Sequence, residues 1–236
     1  MAITRLTLTQ ITAEVRRNIG EEVAARSSIS STAADSTNIY KVINRVGQQL
    51  PKRLGEILRG EGRPTKDGCA YLDCWRTYPQ NMTASVGSAS VYLPVDYGHY
   101  ISFYDETGAK TLRVVENVDK WHVTTLKKAA QAATPKAIEL LGYESNGGNF
   151  VRRCQIYPGP TALVTPVISV QYWRIPATMS ESDPGNVYAD IDPVFQDIFI
   201  YGAVLELMRK DDPMYSRFQE KERDMLFNMA YTARAA

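Results

Sequence analysis

Few residues of this chain have the types and spacing that catalysis or metal binding requires. His99 and His122 are the only histidines, and neither lies in a pattern such as H-E-x-x-H or beside a cysteine pair. The sequence contains no G-x-S-x-G elbow, G-x-x-x-x-G-K phosphate loop or G-x-G-x-x-G dinucleotide motif. Asp105 and Asp119 would act as an acid–base pair only if the fold brought them together, and we expect solvated carboxylates instead. We therefore predict no enzyme activity, no cofactor and no metal.

Aromatic residues are concentrated between residues 71 and 104, and an exposed aromatic strip can stack on sugars or on a partner protein. Because side chains alternate between the two faces of a strand, about half of them are expected in the core. The candidates for an aromatic contact face are Tyr71, Trp75 and Tyr78. A protein contact is favoured over a glycan site, and a carbohydrate-binding module is the alternative function.

The densest basic stretch contains Lys52, Arg53, Arg59, Arg63 and Lys66. It is an ordinary solvated face in a monomer, but in a ring such a stretch would line a channel occupied by DNA phosphates. The whole chain has 27 lysines and arginines against 26 acidic residues, so its net charge does not favour a nucleic acid or membrane surface. No segment approaches the roughly 18 uninterrupted apolar residues of a membrane span.

The C-terminal segment is more apolar than a solvated terminal helix requires. Its apolar residues are Met225, Leu226, Phe227, Met229 and Tyr231. Methionines and aromatic residues suit a surface that docks into another subunit, although packing against the rest of the chain explains them equally well.

Helical patterns at both ends of the chain must position these residues. Thr9 is predicted to cap a first helix that stops at Gly20, and residues 27–37 read as a flexible loop. A second helix has a stripe from Ile39 to Leu50, and Pro51 is predicted to kink or end it near Gln49, after which one or two turns resume.

The stretch Asp190–Lys210 dominates the pattern near the C-terminus. Asp192 and Pro193 suit the cap and first turn of a helix that has no wide polar face, so this helix should be buried almost all round. Asp212 and Pro213 repeat the pairing and open the last helix.

Between these helical ends the period changes to that of strands. Strands are predicted over residues 70–77, 88–93, 99–104, 111–115, 136–143, 150–157 and 167–174. Residues 106–108 and 146–148 are hairpin turns, and residues 118–132 have weak helical character. The sequence thus predicts an α+β protein: a bundle of N- and C-terminal helices (residues 1–66 and 178–236) with an inserted antiparallel β-sandwich or barrel-like domain (residues 67–177).

The cysteines favour a reducing compartment. Cys69, Cys74 and Cys154 are odd in number and have no zinc-site spacing, and residues 1–5 lack the apolar run of a signal peptide. We expect folding in the cytoplasm.

Four stretches, taken in order, resemble one known family. They are the first helix ending at residues 18–20 with the later run Ile39–Val46; Val91–Tyr97; Gln155–Pro160 running on to Val170–Pro176; and Asp197–Leu207. In their order and spacing they are similar to the head-to-tail adaptor (connector or neck) proteins of tailed bacteriophages.

The resemblance implies a dodecameric ring of this chain, docked below the capsid portal in the virion and assembled in the host cytoplasm. Its partners would be the portal protein, tail or neck proteins, and genomic DNA that passes through the lumen without sequence-specific contacts. The ring would extend the channel, help retain DNA and attach the tail, while the alternative becomes a carbohydrate-binding or other tail-associated virion module. Terminal segments commonly meet the portal in this family, which makes Met225, Phe227, Met229, Tyr231 and Arg234 the contact candidates.

Overall fold

The structure is a computed structural model, and the chain forms two compact units. It describes residues 5–23, 36–63, 65, 68–83, 89–115, 134–159, 167–180, 182, 185, 190–232 and 234–235. One unit, the helical unit, consists of Met1–Trp75 and Pro176–Ala236; the other, the β unit, is Arg76–Ile175.

In its described part, the helical unit is built from four α-helices and a small sheet. The helices are α1 (Leu8–Val23), α2 (Ser36–Gly60), α3 (Asp197–Leu207) and α4 (Tyr215–Thr232). The sheet pairs β1 (Ala70–Tyr71) with the C-terminal strand β10 (Arg234–Ala235) in an antiparallel ladder. A 3-10 turn, Asp73–Trp75, follows β1.

Helix α3 is the centre of the helical unit. Its buried residues cover most of the helix surface and are Ile198, Phe199, Ile200, Gly202, Ala203 and Val204, whereas Asp197, Tyr201 and Leu205 form a less buried side. It packs against α1, α2 and α4. The prediction of a buried helix enclosed by elements from both ends of the chain is therefore confirmed.

The entry to α3 also follows the prediction in part. Asp192 Oδ1 accepts a hydrogen bond from the Val194 amide at 3.0 Å. The capped segment is first a 3-10 turn, Pro193–Phe195, and the α-helix begins two residues later. Extended backbone at Met208 ends α3 before Lys210.

The predicted bounds of α1 were wrong at both ends. Thr7 Oγ1 accepts from the Gln10 amide at 3.2 Å, and Gln10 Oε1 accepts from the Thr7 amide at 2.8 Å, so Thr7 rather than Thr9 caps the helix through a reciprocal capping box. Gly20 lies inside α1, because a glycine costs a helix only about 1 kcal/mol and ends it only where the backbone turns left-handed.

Pro51 does not end α2, which continues to Gly60. A proline inside a helix costs about 3 kcal/mol. Leu50, Leu54 and Leu58 continue one stripe across it and are essentially fully buried. Each such side chain contributes roughly 1.5 to 3 kcal/mol, so the stripe outweighs the proline.

In its described residues, the β unit contains two four-stranded sheets. The first sheet has the strand order β2 (Gln80–Thr83), β9 (Val167–Arg174), β4 (Tyr97–Asp105) and β5 (Lys110–Thr111). The second sheet has the strand order β3 (Ser90–Tyr92), β8 (Asn149–Tyr157), β7 (Ala137–Asn146) and β6 (Arg113–Val115). The sheets share one hydrophobic cluster, which includes Phe103, Val170 and Tyr172 from the first and Ile138, Cys154 and Ile156 from the second. All ladders are antiparallel except β6 with β7. The predicted α+β class with an inserted β domain is confirmed.

Several strand predictions need correction. Residues 70–77 do not form one strand, because the chain turns into the 3-10 segment after Tyr71 and Trp75 is buried in the helical unit. Strand β2 was missed. Residues 111–115 divide between two sheets at Leu112, whose amide donates to the Phe103 carbonyl at 2.9 Å.

The predicted hairpin at residues 146–148 is confirmed. Asn146 pairs with Asn149, and Gly147 and Gly148 have φ values of 58° and 83°, which suit glycine in a tight two-residue turn. The turn between β4 and β5 is also confirmed. The predicted helix at residues 118–132 and most of the predicted loop at 27–37 lie outside the described residues.

Candidate interaction surfaces

The C-terminal half of α4 carries an exposed aromatic cluster. Phe227 is 37% exposed and Tyr231 is 63% exposed, with ring centroids 6.2 Å apart. The Arg63 guanidinium carbon lies 5.7 Å from the Tyr231 ring centroid, within cation–π range. We call Phe227, Tyr231 and Arg63 the α4 aromatic cluster; its apolar rings with a cationic neighbour suit contact with another protein.

Met225 and Met229 do not belong to this cluster. Met229 is fully buried and Met225 is half-buried, because the helical period turns them away from Phe227 and Tyr231. Met229 therefore contributes to packing and is not accessible to a partner. Arg234 pairs with Tyr71 in the β1–β10 ladder.

The basic candidates differ in their exposure and in the residues that they contact. Lys52 and Arg59 are exposed on α2. Arg63 lies beyond the end of this helix, where its guanidinium lies over the Tyr231 ring and its Nε is 4.0 Å from Glu61 Oε2. Arg53 is engaged inside the helical unit. Lys66 lies outside the described residues.

Arg53 joins three helices. It contacts Glu222 of α4, and its Nη2 lies 3.7 Å from Glu206 Oε1 of α3. Arg45, about two turns earlier on α2, contacts the same Glu206. Close approach is possible because Gly202 has no side chain: a Cβ there would lie 2.7 Å from Val46 Cγ1. Arg53 therefore stabilises the helical unit and is not a free cation for DNA.

Burial raises the pKa of Glu222; Arg53 opposes the shift, and the nearby carboxylate of Glu206 adds to it. A carboxyl whose pKa is higher in the folded than in the unfolded state binds protons more tightly when folded. Its ionisation therefore lowers the free energy of unfolding as the pH rises above its ordinary value of 4.5. Below that value, this loss is absent.

Replacing Glu222 with Gln should remove that pH dependence. We expect the free energy of unfolding of Glu222→Gln, relative to that of wild type, to increase as the pH rises from 4.5 towards neutrality, so that the variant becomes relatively more stable. Denaturant unfolding at a series of pH values measures this difference. Glu220→Gln, on the exposed side of the same helix, is the control for charge removal. A relative loss of stability with rising pH would show that the Arg53 contact dominates instead.

The predicted aromatic contact face is not assembled. Tyr71 and Trp75 are buried in the helical unit with their rings edge to face at 6.4 Å, and Trp75 Nε1 donates to the Asp190 carbonyl at 2.7 Å. Tyr78 lies in the β unit and is 90% exposed. Strand alternation was the wrong pattern for this segment, because strand β1 ends at Tyr71 and residues 73–75 form a 3-10 turn.

A second exposed aromatic surface was missed by sequence reasoning. On the β7–β8 hairpin, Tyr143 (52% exposed) and Phe150 (70% exposed) stack with centroids 5.6 Å apart. The Arg152 guanidinium carbon lies 5.9 Å from the Tyr143 ring centroid. The Gly147–Gly148 turn brings these strands together, so aromatic residues flanking a predicted tight hairpin were the available signal.

The described residues contain no cluster typical of a metal site. No group of three or more histidine, cysteine or acidic residues is placed to hold a metal ion. His99 is buried in β4, whereas His122 and Asp119 lie outside the described residues. Asp105 is buried at a turn, where it accepts from the Thr107 amide at 3.1 Å. In the described part of the chain, no helix has the length and apolar character of a membrane span.

Comparison with known proteins identifies the family. The model of the SU10 adaptor protein family matches residues 6–236, which is nearly the whole chain. No similar protein is found among curated proteins. The resemblance predicted from the four sequence stretches is thus confirmed at the level of a phage adaptor family, and this chain belongs to the SU10 adaptor protein family.

Proposed function

We propose that this protein is a structural head-to-tail adaptor of a tailed bacteriophage. It assembles as a dodecameric ring below the portal, extends the DNA channel, helps retain the packaged genome and presents a surface to tail or neck proteins. The observation that carries this proposal is the family match over residues 6–236. Its site of action is the head–tail junction of the virion, and its role is structural, without catalysis or a cofactor.

The portal contact is proposed to involve the α4 aromatic cluster. Phe227 and Tyr231 are more exposed than Met225 and Met229, and the Arg63 guanidinium lies over the Tyr231 ring. Aromatic residues beside arginine are common in the energetically important centres of protein interfaces.

Lys52 and Arg59 are the proposed DNA-facing residues. Both are exposed, whereas Arg53 is held by Glu206 and Glu222. Contacts from these residues to phosphates would be independent of sequence and sensitive to salt, as a channel for a passing genome requires. The carbohydrate-binding alternative is not proposed, since Tyr71 and Trp75 are buried.

Cryo-electron microscopy of the full chain mixed with portal assemblies tests the proposed function. We expect a twelve-fold ring of added density on the portal. Portal particles without such a ring, at concentrations where the chain is in excess, would contradict the proposal.

Replacing both Phe227 and Tyr231 with Glu should weaken portal binding at least tenfold, about 1.4 kcal/mol. The substitutions bring charge into a contact that otherwise buries apolar rings. Light scattering or sedimentation of mixtures with portal measures the binding. Phe150→Glu, which removes an exposed aromatic ring from the β unit, is the matched control. Equal binding by the double variant and the wild type would remove the α4 aromatic cluster from the portal contact.

A further inference from the structure

The exposed side of α4 has two different halves. The N-terminal half contains a shallow groove of about 330 Å³, lined by Ser216, Gln219, Glu220 and Arg223. The C-terminal half carries the exposed rings of Phe227 and Tyr231. Since these positions recur at intervals of three and four residues, groove and rings share one side of the helix. The N-terminal half of this face is therefore concave, and the rings of Phe227 and Tyr231 project from the C-terminal half.

Two opposite charges lie between the halves. Arg223 and Asp224 are adjacent and exposed. Within the part of the chain that the structure describes, neither side chain has an ion-pair or hydrogen-bond partner. A positive and a negative group are thus both available at the middle of the same helix.

We infer that α4 pairs with α4 of a second copy of this chain, antiparallel, about a two-fold axis between residues 223 and 224. Residues equally distant from that axis face each other. Tyr231 then lies against Ser216 of the second copy, Phe227 lies against Glu220, and Arg223 lies against Asp224. Each contact occurs twice, as an isologous interface requires.

The second copy fits this face because a single symmetry operation satisfies all three of its features. The rings of each chain enter the groove of the other, the phenol of Tyr231 meets the hydroxyl of Ser216, and each unpaired charge meets its opposite. The overlap extends along the 18 residues of α4, about 27 Å at the helical rise. Because Arg223 and Asp224 are exposed to water in each free chain, the gain from pairing them is offset by desolvation and screened by salt, so the association is weak and depends on concentration and salt.

This pairing concerns the free chain and does not rest on the proposed function. It covers Phe227 and Tyr231, the residues proposed to contact the portal. Self-pairing and portal docking therefore compete for the same rings, and the dimer is a form that exists before assembly.

Sedimentation equilibrium of the purified full chain, without portal, tests the inference. We expect the mass to rise with concentration from 26.4 kDa to twice that value. Arg223→Asp and Asp224→Arg should each weaken dimerisation at least tenfold, because like charges then meet at the axis; tenfold corresponds to about 1.4 kcal/mol. The double variant Arg223→Asp/Asp224→Arg should recover the wild-type dimer, because exchanging both charges restores the pair.

Lys41→Asp, the same kind of charge change on exposed α2, is the control and should dimerise like wild type. A wild-type chain that stays monomeric at every concentration overturns the inference. So does a dimer or larger assembly that neither single substitution weakens, or a double variant that remains as weak as the singles. Since portal is absent, each of these outcomes leaves the proposed function untouched.

Discussion

Replacing Phe199 with alanine is expected to lower the free energy of unfolding by about 4 kcal/mol. Phe199 is 1% exposed in the first turn of α3, the helix that packs against α1, α2 and α4. Truncation removes the buried ring and leaves a cavity that surrounding helices can only partly fill. Denaturant unfolding followed by the helical circular dichroism signal measures the loss.

Val194→Ala is the control for Phe199→Ala. Val194 lies in the 3-10 turn just before α3 and is more than half exposed, so its truncation should change stability by less than about 0.5 kcal/mol. Comparable stability of Phe199→Ala and Val194→Ala would mean that α3 is not the centre of the core.

Replacing Gly55 with alanine is expected to destabilise the helical unit by about 3 kcal/mol. A Cβ on Gly55 would lie 2.1 Å from the Gly68 carbonyl oxygen and 2.6 Å from its carbon, both backbone atoms that no rotamer change can move. Intrinsic helix propensity alone predicts the opposite sign, since alanine is favoured over glycine by about 1 kcal/mol inside a helix. The direction of the change in thermal or denaturant unfolding therefore distinguishes packing from propensity.

Gly60→Ala is the matched control for Gly55→Ala. Gly60 is the last residue of the same helix, and a Cβ there meets no atom within 4 Å. This substitution should be neutral or should stabilise the protein by up to about 1 kcal/mol. If Gly55→Ala behaved in the same way, residues 68–69 would not pack against α2 as the structure has them.

The α+β class and the helices of the core could be predicted from local patterns. Helix α3 has no wide polar face and follows the Asp192–Pro193 cap signal, and the α2 stripe from Ile39 continues through Leu58, so local patterns identify both helices without any tertiary information. The tight turn at Gly147–Gly148 is equally local, because only its own backbone conformation matters. Family membership was predictable for the same reason, since it rests on the order of such patterns along the chain.

Element bounds were less predictable, because they depend on competition between local and long-range terms. Pro51 costs α2 a hydrogen bond, but the burial of Leu54 and Leu58 against other elements outweighs that loss. Strand β2 has weak propensity of its own and is formed by its ladder with β9.

The sequence by itself determined the core helices and most of the strands, that α3 must be largely buried, and which adaptor family the chain belongs to. Only the tertiary structure decided which side chains remain available for contact. Trp75 is enclosed, Arg53 is bound by Glu206 and Glu222, and Phe227 and Tyr231 stay exposed while Met229 does not. The physical reason is that periodicity is a property of neighbouring residues, whereas exposure and ion pairing depend on elements that lie far apart along the chain.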